Sequence, residues 1–210
     1  MGRMKNGANG PVSGKVGSVV GSSWRDVQYW RSLPKITKKR TESQIAVQKR
    51  MAFVNSWLSP FKPFATAGFL NYSGRMTWYN ALYKFNHELV PEAEAPDPAV
   101  DYSLMVLSDG PLQGAGDPQV ILAEKGVLEF TWKPLYRSKD RSSDQLSILL
   151  YVSEVHESDF LIGGPARGNG KCRFQYRSDF AGHRAEVFIG FISFDRKKAS
   201  RSQYLGSFML

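Results

Sequence analysis

The chain is poor in the residues on which most enzyme chemistry depends. Cys172 is its single cysteine, and histidine occurs only at His87, His156 and His183. One cysteine excludes a disulfide scaffold, and a free thiol fits a reducing compartment. None of the histidines forms a recognised metal motif with another His, Cys, Asp or Glu; His87-Glu88 lacks the second histidine of a zinc-protease helix. No G-x-S-x-G nucleophile elbow occurs. Gly10-Pro-Val-Ser-Gly14-Lys15-Val16 is one residue short of a phosphate loop, and Val16 stands where Ser or Thr would hold Mg²⁺. The acidic spacing of an EF-hand is missing around Asp109 and Asp117. The expectation is therefore a protein that is not an enzyme and uses no metal and no cofactor. Long hydrophobic runs are lacking too. The apolar stretch Val187–Ile189 and its neighbours fall far short of the about 20 residues a bilayer needs, which excludes a membrane span. MGRMKNGANG has no apolar core of an ordinary signal peptide. Asn6 stands where myristoylation of Gly2 wants Ser or Thr. A cytoplasmic or virion location is expected.

Acidic residues are scarce in the first half. Residues 1–90 carry 14 Lys/Arg against only Asp26, Glu42 and Glu88, a balance of +11. Residues 91–210 carry 14 basic and 16 acidic side chains, a balance of −2. Such lopsidedness concerns partners rather than fold. It suits a polyanion, either nucleic acid or an acidic partner subunit; a merely lysine-rich soluble surface is the plain alternative. The 42% hydrophobic and 13% aromatic content is too high for a disordered chain.

Glycine punctuates residues 1–21, which read as an extended arm or a series of tight turns. Lys15 to Gly21 and Trp24 to Leu33 read as two strands with a turn near Gly21–Ser23. Trp24, Asp26, Gln28 and Trp30 then point one way, and Arg25, Val27, Tyr29 and Arg31 the other. Neither face is cleanly apolar, as in an interface strand. After Pro34 and the basic loop Lys35–Arg40, Thr41 and Gln44 make a capping box. The helix that follows runs from about Glu42 to Leu58, with a stripe of Val47, Met51, Val54 and Leu58 widened by Ile45, Phe53 and Trp57. Residues 64–72 form a short helix or an apolar link. Thr77 caps a helix over about Trp78–Leu89, whose apolar face is Trp78, Ala81, Leu82, Phe85 and Leu89. The two helices are expected to pack on each other. Pro91 to Pro98, acidic and proline-rich, places a domain junction at 91–100.

Past residue 100 the pattern alternates. Strands are expected at Tyr102–Ser108, Gln119–Ala123, Val127–Trp132, Gln145–Val152, Asp159–Ile162, Lys171–Tyr176, Glu186–Phe194 and Gln203–Met209. That many short strands predict an antiparallel sandwich over 101–210, with Trp132 in its core and Phe188, Gly190, Ile192 and Phe194 on one core-facing side. The fold class is α+β: a basic arm, hairpin and helices over 1–90, a linker at 91–100, and an immunoglobulin-like sandwich.

Val127-Leu-Glu-Phe-Thr-Trp-Lys-Pro resembles the second strand of a fibronectin type III module, and Glu186 to Leu205 resembles its last hairpin. The whole chain resembles a family of uncharacterised Bacteroidota proteins of roughly 200 residues, catalogued as a domain of unknown function. The resemblance rests on Gly14-Lys-Val-Gly-Ser-Val-Val-Gly-Ser-Ser-Trp-Arg, Arg31-Ser-Leu-Pro, the Thr41-x-x-Gln-x-x-x-Gln-x-Arg helix start and Tyr204-Leu-Gly. It implies a glycine-rich start, a helical middle and a β-rich end, and no activity.

The reading from sequence is a structural assembly protein of phage-virion or nucleoprotein type, forming a homo-oligomer or larger assembly. Lysine and arginine bind phosphates through counterion release, and flat aromatics stack on unpaired bases. The expected contact residues are Lys15, Trp24, Arg25, Tyr29, Trp30, Arg31, Lys35, Lys38, Lys39 and Arg40. The alternative is a surface-exposed protein- or carbohydrate-binding adhesion module using Gly163–Gly170 and Tyr102, Tyr136 and Tyr151.

Overall fold

A computed structural model describes residues 2–4, 10–24, 27–35, 39–72, 76–90, 100–134 and 142–210. The chain divides into two compact units, Met1–Ile45 and Ala46–Leu210.

The first unit is an antiparallel meander of β1 (Arg3–Met4), β2 (Val12–Val16), β3 (Val19–Trp24) and β4 (Val27–Ser32), in that spatial order. Gly17 makes the first tight turn, at φ 58°, where a residue with a Cβ would be strained. Val16 and Val19 then face each other directly. Gly21 has a different reason. A Cβ built there would lie 2.2 Å from the backbone carbonyl oxygen of Val12, so only glycine lets the strands approach this closely. Gly21–Ser23, expected as a turn, is the interior of β3, and the expected strand Trp24–Leu33 is divided, with Trp24 ending β3 and Val27 opening β4. Among the described residues of this unit only Gly21 is buried. The described residues of the sheet form no apolar core of their own. Replacing Gly21 by alanine is therefore expected to abolish hydrogen-exchange protection across β2–β4 while the unfolding midpoint of residues 46–210 stays unchanged. Retained protection would show that the close approach is dispensable.

The second unit contains an immunoglobulin-like antiparallel sandwich. One sheet has the order β5 (Gly116–Glu124), β6 (Val127–Lys133), β9 (Lys171–Gln175); the other has the order β11 (Gln203–Met209), β10 (Arg184–Ile192), β7 (Gln145–Val152), β8 (Glu157–Ala166). This division into three and four strands is fibronectin-like. Leu128, Phe130 and Trp132 of β6 meet Leu146, Ile148 and Leu150 of β7 and Val187, Ile189 and Phe191 of β10. Trp132 is buried edge-on to Phe191, and its indole N–H donates to the carbonyl of Arg167 at 2.8 Å.

The outer face of the four-stranded sheet is covered as well. Val54 of α1 (Glu42–Trp57), Phe64 of α2 (Lys62–Gly68) and Leu82 of α3 (Trp78–Asn86) share a second core with Leu58, Phe61, Leu149, Tyr151 and Phe188. The predicted caps form: Thr41 and Gln44 bond reciprocally, and Thr77 Oγ1 accepts from the Asn80 N–H. Arg50 of α1 reaches the carbonyls of His87 and Val90 beyond α3 at 3.0 and 2.6 Å.

Four further expectations need correction. The compact units divide at 45/46 rather than at 91–100, because residues 46–90 bury their apolar side chains on the sandwich; residues 91–99 of the expected linker lie outside the described residues. Residues 102–108 form a 3₁₀ turn and an extended segment rather than a strand. Their backbone groups pair with side chains, Val106 N–H with Asn86 Oδ1 and Leu107 N–H with Ser202 Oγ. Phe188 faces the helices rather than the sandwich interior, and Phe194 is exposed, since β10 is buried on both faces and carries no readable alternation. In α1 the stripe reaches the core only at its end: Val54 is buried, while Ile45, Val47 and Met51 are exposed.

Candidate functional site

Register on the N-terminal sheet sorts its side chains onto two faces. Directly paired residues share a face, as do alternate residues along a strand. Lys15 pairs with Val20, and Val20 with Arg31, so both cations lie in one row across β2, β3 and β4. Ser22 pairs with Tyr29, and Trp24 with Val27. One face therefore presents Lys15, Arg31, Tyr29 and Trp24. The other presents the row Gly14, Gly21, Trp30. Spacings follow from sheet geometry: Lys15 and Arg31 stand two strands apart, about 10 Å, and Tyr29 lies about 7 Å along β4 from Arg31.

These four side chains are exposed, and Val20, Ser22 and Val27 share the face with them. Trp24, Tyr29 and Trp30 retain 58%, 41% and 55% of their accessible surface, a share that core aromatics do not keep. Among the described residues no ion pair engages Lys15, Arg31, Lys35, Lys39 or Arg40. Residues 1–45 carry nine Lys/Arg against Asp26 and Glu42.

The sequence placed Trp24 with Trp30. The strand break puts it instead with Tyr29 and Arg31, because β3 ends at Trp24 and β4 runs back from Val27. Trp30 lies on the reverse side, which also carries Val16, Val19, Ser23, Gln28 and Ser32. Lys35, Lys39 and Arg40 are exposed in the segment between β4 and α1. Arg25 and Lys38 lie outside the described residues.

The residues named for an adhesion role are placed otherwise. Gly163–Ala166 belongs to β8, and Arg167 is fully buried. Tyr151 is buried, Tyr102 packs against it at 5.8 Å, and Tyr136 lies outside the described residues. An open cavity of about 420 Å³ lies between Pro60, Pro63, His156 and Phe160. The ring nitrogens of His156 are engaged there by the Tyr151 hydroxyl at 2.9 Å and the Ser56 carbonyl at 3.3 Å. Burial pushes the Cys172 thiol up, away from reactive thiolate. Among the described residues no helix is long and apolar enough to cross a membrane.

A family model described as "Family of unknown function (DUF6266)" matches residues 11–206. No curated protein matches. Among solved structures, the fn3 domain of human contactin 1 is similar over 57% of this chain and 89% of that one, with a TM-score of 0.34 and 7% identity.

Proposed function

The chain belongs to the family of unknown function (DUF6266), and for it we propose a non-catalytic role in assembly, in which the N-terminal sheet holds single-stranded nucleic acid. The observation that carries this reading is the shared face of Lys15, Arg31, Tyr29 and Trp24. Cations spaced across strands suit a phosphate chain, and aromatics beside them offer planes for unpaired bases. An acidic protein subunit would use the cations and leave the aromatic planes idle. In this reading the setting is a virion or nucleoprotein, and the sandwich supplies the subunit contacts. The sequence run from Gly14 to Arg25 supports an origin in Bacteroidota, and phage structural genes beside this one would favour the virion form.

Fluorescence anisotropy with a labelled single-stranded oligonucleotide tests the reading. Affinity is expected to fall steeply with salt. Lys15→Ala with Arg31→Ala should flatten the log–log salt dependence by about 0.7 for each cation removed. Tyr29→Ala should cost about 1–3 kcal/mol with little change in that slope. Absence of binding at low salt overturns the nucleic-acid reading. Binding of polyglutamate in its place would assign the face to an acidic subunit.

A further inference from the structure

We infer that β4 is an assembly edge, which pairs antiparallel with β4 of a second copy of this chain so that the two Trp30 residues meet on the two-fold axis. The inference rests on the assembly half of the reading above and not on its nucleic-acid half, since edge pairing leaves the Lys15–Arg31 face open.

β4 is the last strand of its sheet, and all six of its residues are exposed. It has no lysine, no proline and no shift in its register with β3, and Arg31 is its one charged residue. Val27, Tyr29 and Trp30 also give it high strand propensity.

The backbone tells which groups the edge offers. The Leu33 N–H donates to the Ser18 carbonyl at 2.8 Å, so Leu33 turns its polar groups toward β3. Direction alternates along an antiparallel strand. Arg31, Tyr29 and Val27 therefore point inward like Leu33, and Gln28, Trp30 and Ser32 aim their N–H and C=O groups outward. A second β4 can satisfy every one of these groups in a single register. Trp30 pairs with Trp30 of the second copy, and Gln28 with its Ser32. Sliding by one residue would put inward groups opposite outward ones. Sliding by two would leave Ser32, or in the other direction Gln28, without a partner in β4.

The side chains agree with that register. Tyr29 falls opposite Arg31 of the second copy, placing a guanidinium beside a phenol ring. Trp30 falls opposite Trp30, in a row otherwise made of Gly21 and Gly14. Val27 falls opposite Leu33. Arg31 never meets its own copy, so the only charge on β4 meets no repulsion across the edge. A self-complementary strand of this kind gives a closed, isologous contact. It also joins two meanders into one sheet, on which the Lys15–Arg31 face is doubled.

Sedimentation velocity of nucleic-acid-free protein over a concentration series is expected to show a monomer–dimer equilibrium. Gln28→Pro removes one outward N–H on each side of the axis without touching the β3–β4 ladder. It should weaken the dimer about tenfold. Under mild oxidation Trp30→Cys should link two chains, because directly paired Cα atoms lie about 5.5 Å apart, within disulfide reach. Gln28→Cys alone should not link, since the two copies of residue 28 stand about 13 Å apart along the strand. Gln28→Cys mixed with Ser32→Cys should link. A monomer at all concentrations overturns the inference, as does linking at residue 28 alone that equals linking at residue 30. A monomer that still binds the oligonucleotide removes the edge pairing only; a dimer that binds none removes the nucleic-acid reading only.

Discussion

Replacing Arg167 by alanine is expected to lower the unfolding free energy of residues 46–210 by about 3–5 kcal/mol, the usual cost of stranding one partner of a buried ion pair. Arg167 is fully buried, and Asp144, 3.3 Å from its Nε, is nearly so. The guanidinium also donates to the carbonyls of Gly114 and Gln113 at 2.8 and 2.6 Å, and its plane lies 3.8 Å over the ring of Phe191. Alanine would leave a buried carboxylate and those two carbonyls without these donors, and would open a void against Phe191. Lysine at this position should recover little. It keeps the charge but has neither the planar fork nor the stacking surface. Urea unfolding followed by near-ultraviolet circular dichroism measures the effect. A loss under about 1 kcal/mol would mean that water replaces the guanidinium and that the cluster is not a structural centre.

A fragment of residues 101–210 is expected not to fold stably, whereas residues 46–210 should unfold in one cooperative transition. Phe188, Leu149 and Tyr151 lie on the outer face of the four-stranded sheet and are buried there by the helical layer. Removing that layer exposes three large side chains at about 1.5–3 kcal/mol each. The sum approaches the whole stability of an ordinary domain, about 5–15 kcal/mol. Phe61→Ala tests the same contact more gently. Phe61 is fully buried between Trp57 and Tyr151, at centroid distances of 5.5 and 4.6 Å, and its truncation should cost about 3–5 kcal/mol. Size-exclusion chromatography and thermal unfolding of the two fragments decide the matter. A well-folded 101–210 fragment would restore the junction expected at the proline-rich segment.

Much of the second unit was legible because its strands keep simple rules. β7 and β11 fall where short apolar runs between turn-rich segments place them, at Gln145–Val152 and Gln203–Met209. The helix starts were legible too, since a capping box and an N-cap threonine are local chemistry. Residues 102–108 misled because their apolar run resembles a strand. The run is buried as a crossing segment whose backbone is held by the Asn86 and Ser202 side chains, neither of them near in sequence. The amphipathic stripe of α1 misled at its beginning, where Val47 keeps 67% of its surface, because periodicity reports which side is apolar and not how far the partner extends.

The candidate face was half legible. The cations and aromatics of residues 15–40 could be counted, and their surplus over acids needs no structure. Their grouping could not be read. One change of strand end, from a turn at Gly21–Ser23 to a break after Trp24, moves Trp24 from the side of Trp30 to that of Tyr29 and Arg31. Strand faces alternate every residue, so a small error in turn position reverses a side chain completely.

Local order, composition and charge were therefore settled by the amino-acid sequence alone: strands, caps, a sandwich, and a cationic beginning with little to bury. Only tertiary structure decided that residues 46–90 complete the sandwich instead of standing apart, and that Lys15, Arg31, Tyr29 and Trp24 share one exposed face. The reason is range. Caps and alternation act over a few neighbours, whereas a shared core and a sheet face are made by contacts between residues far apart along the chain.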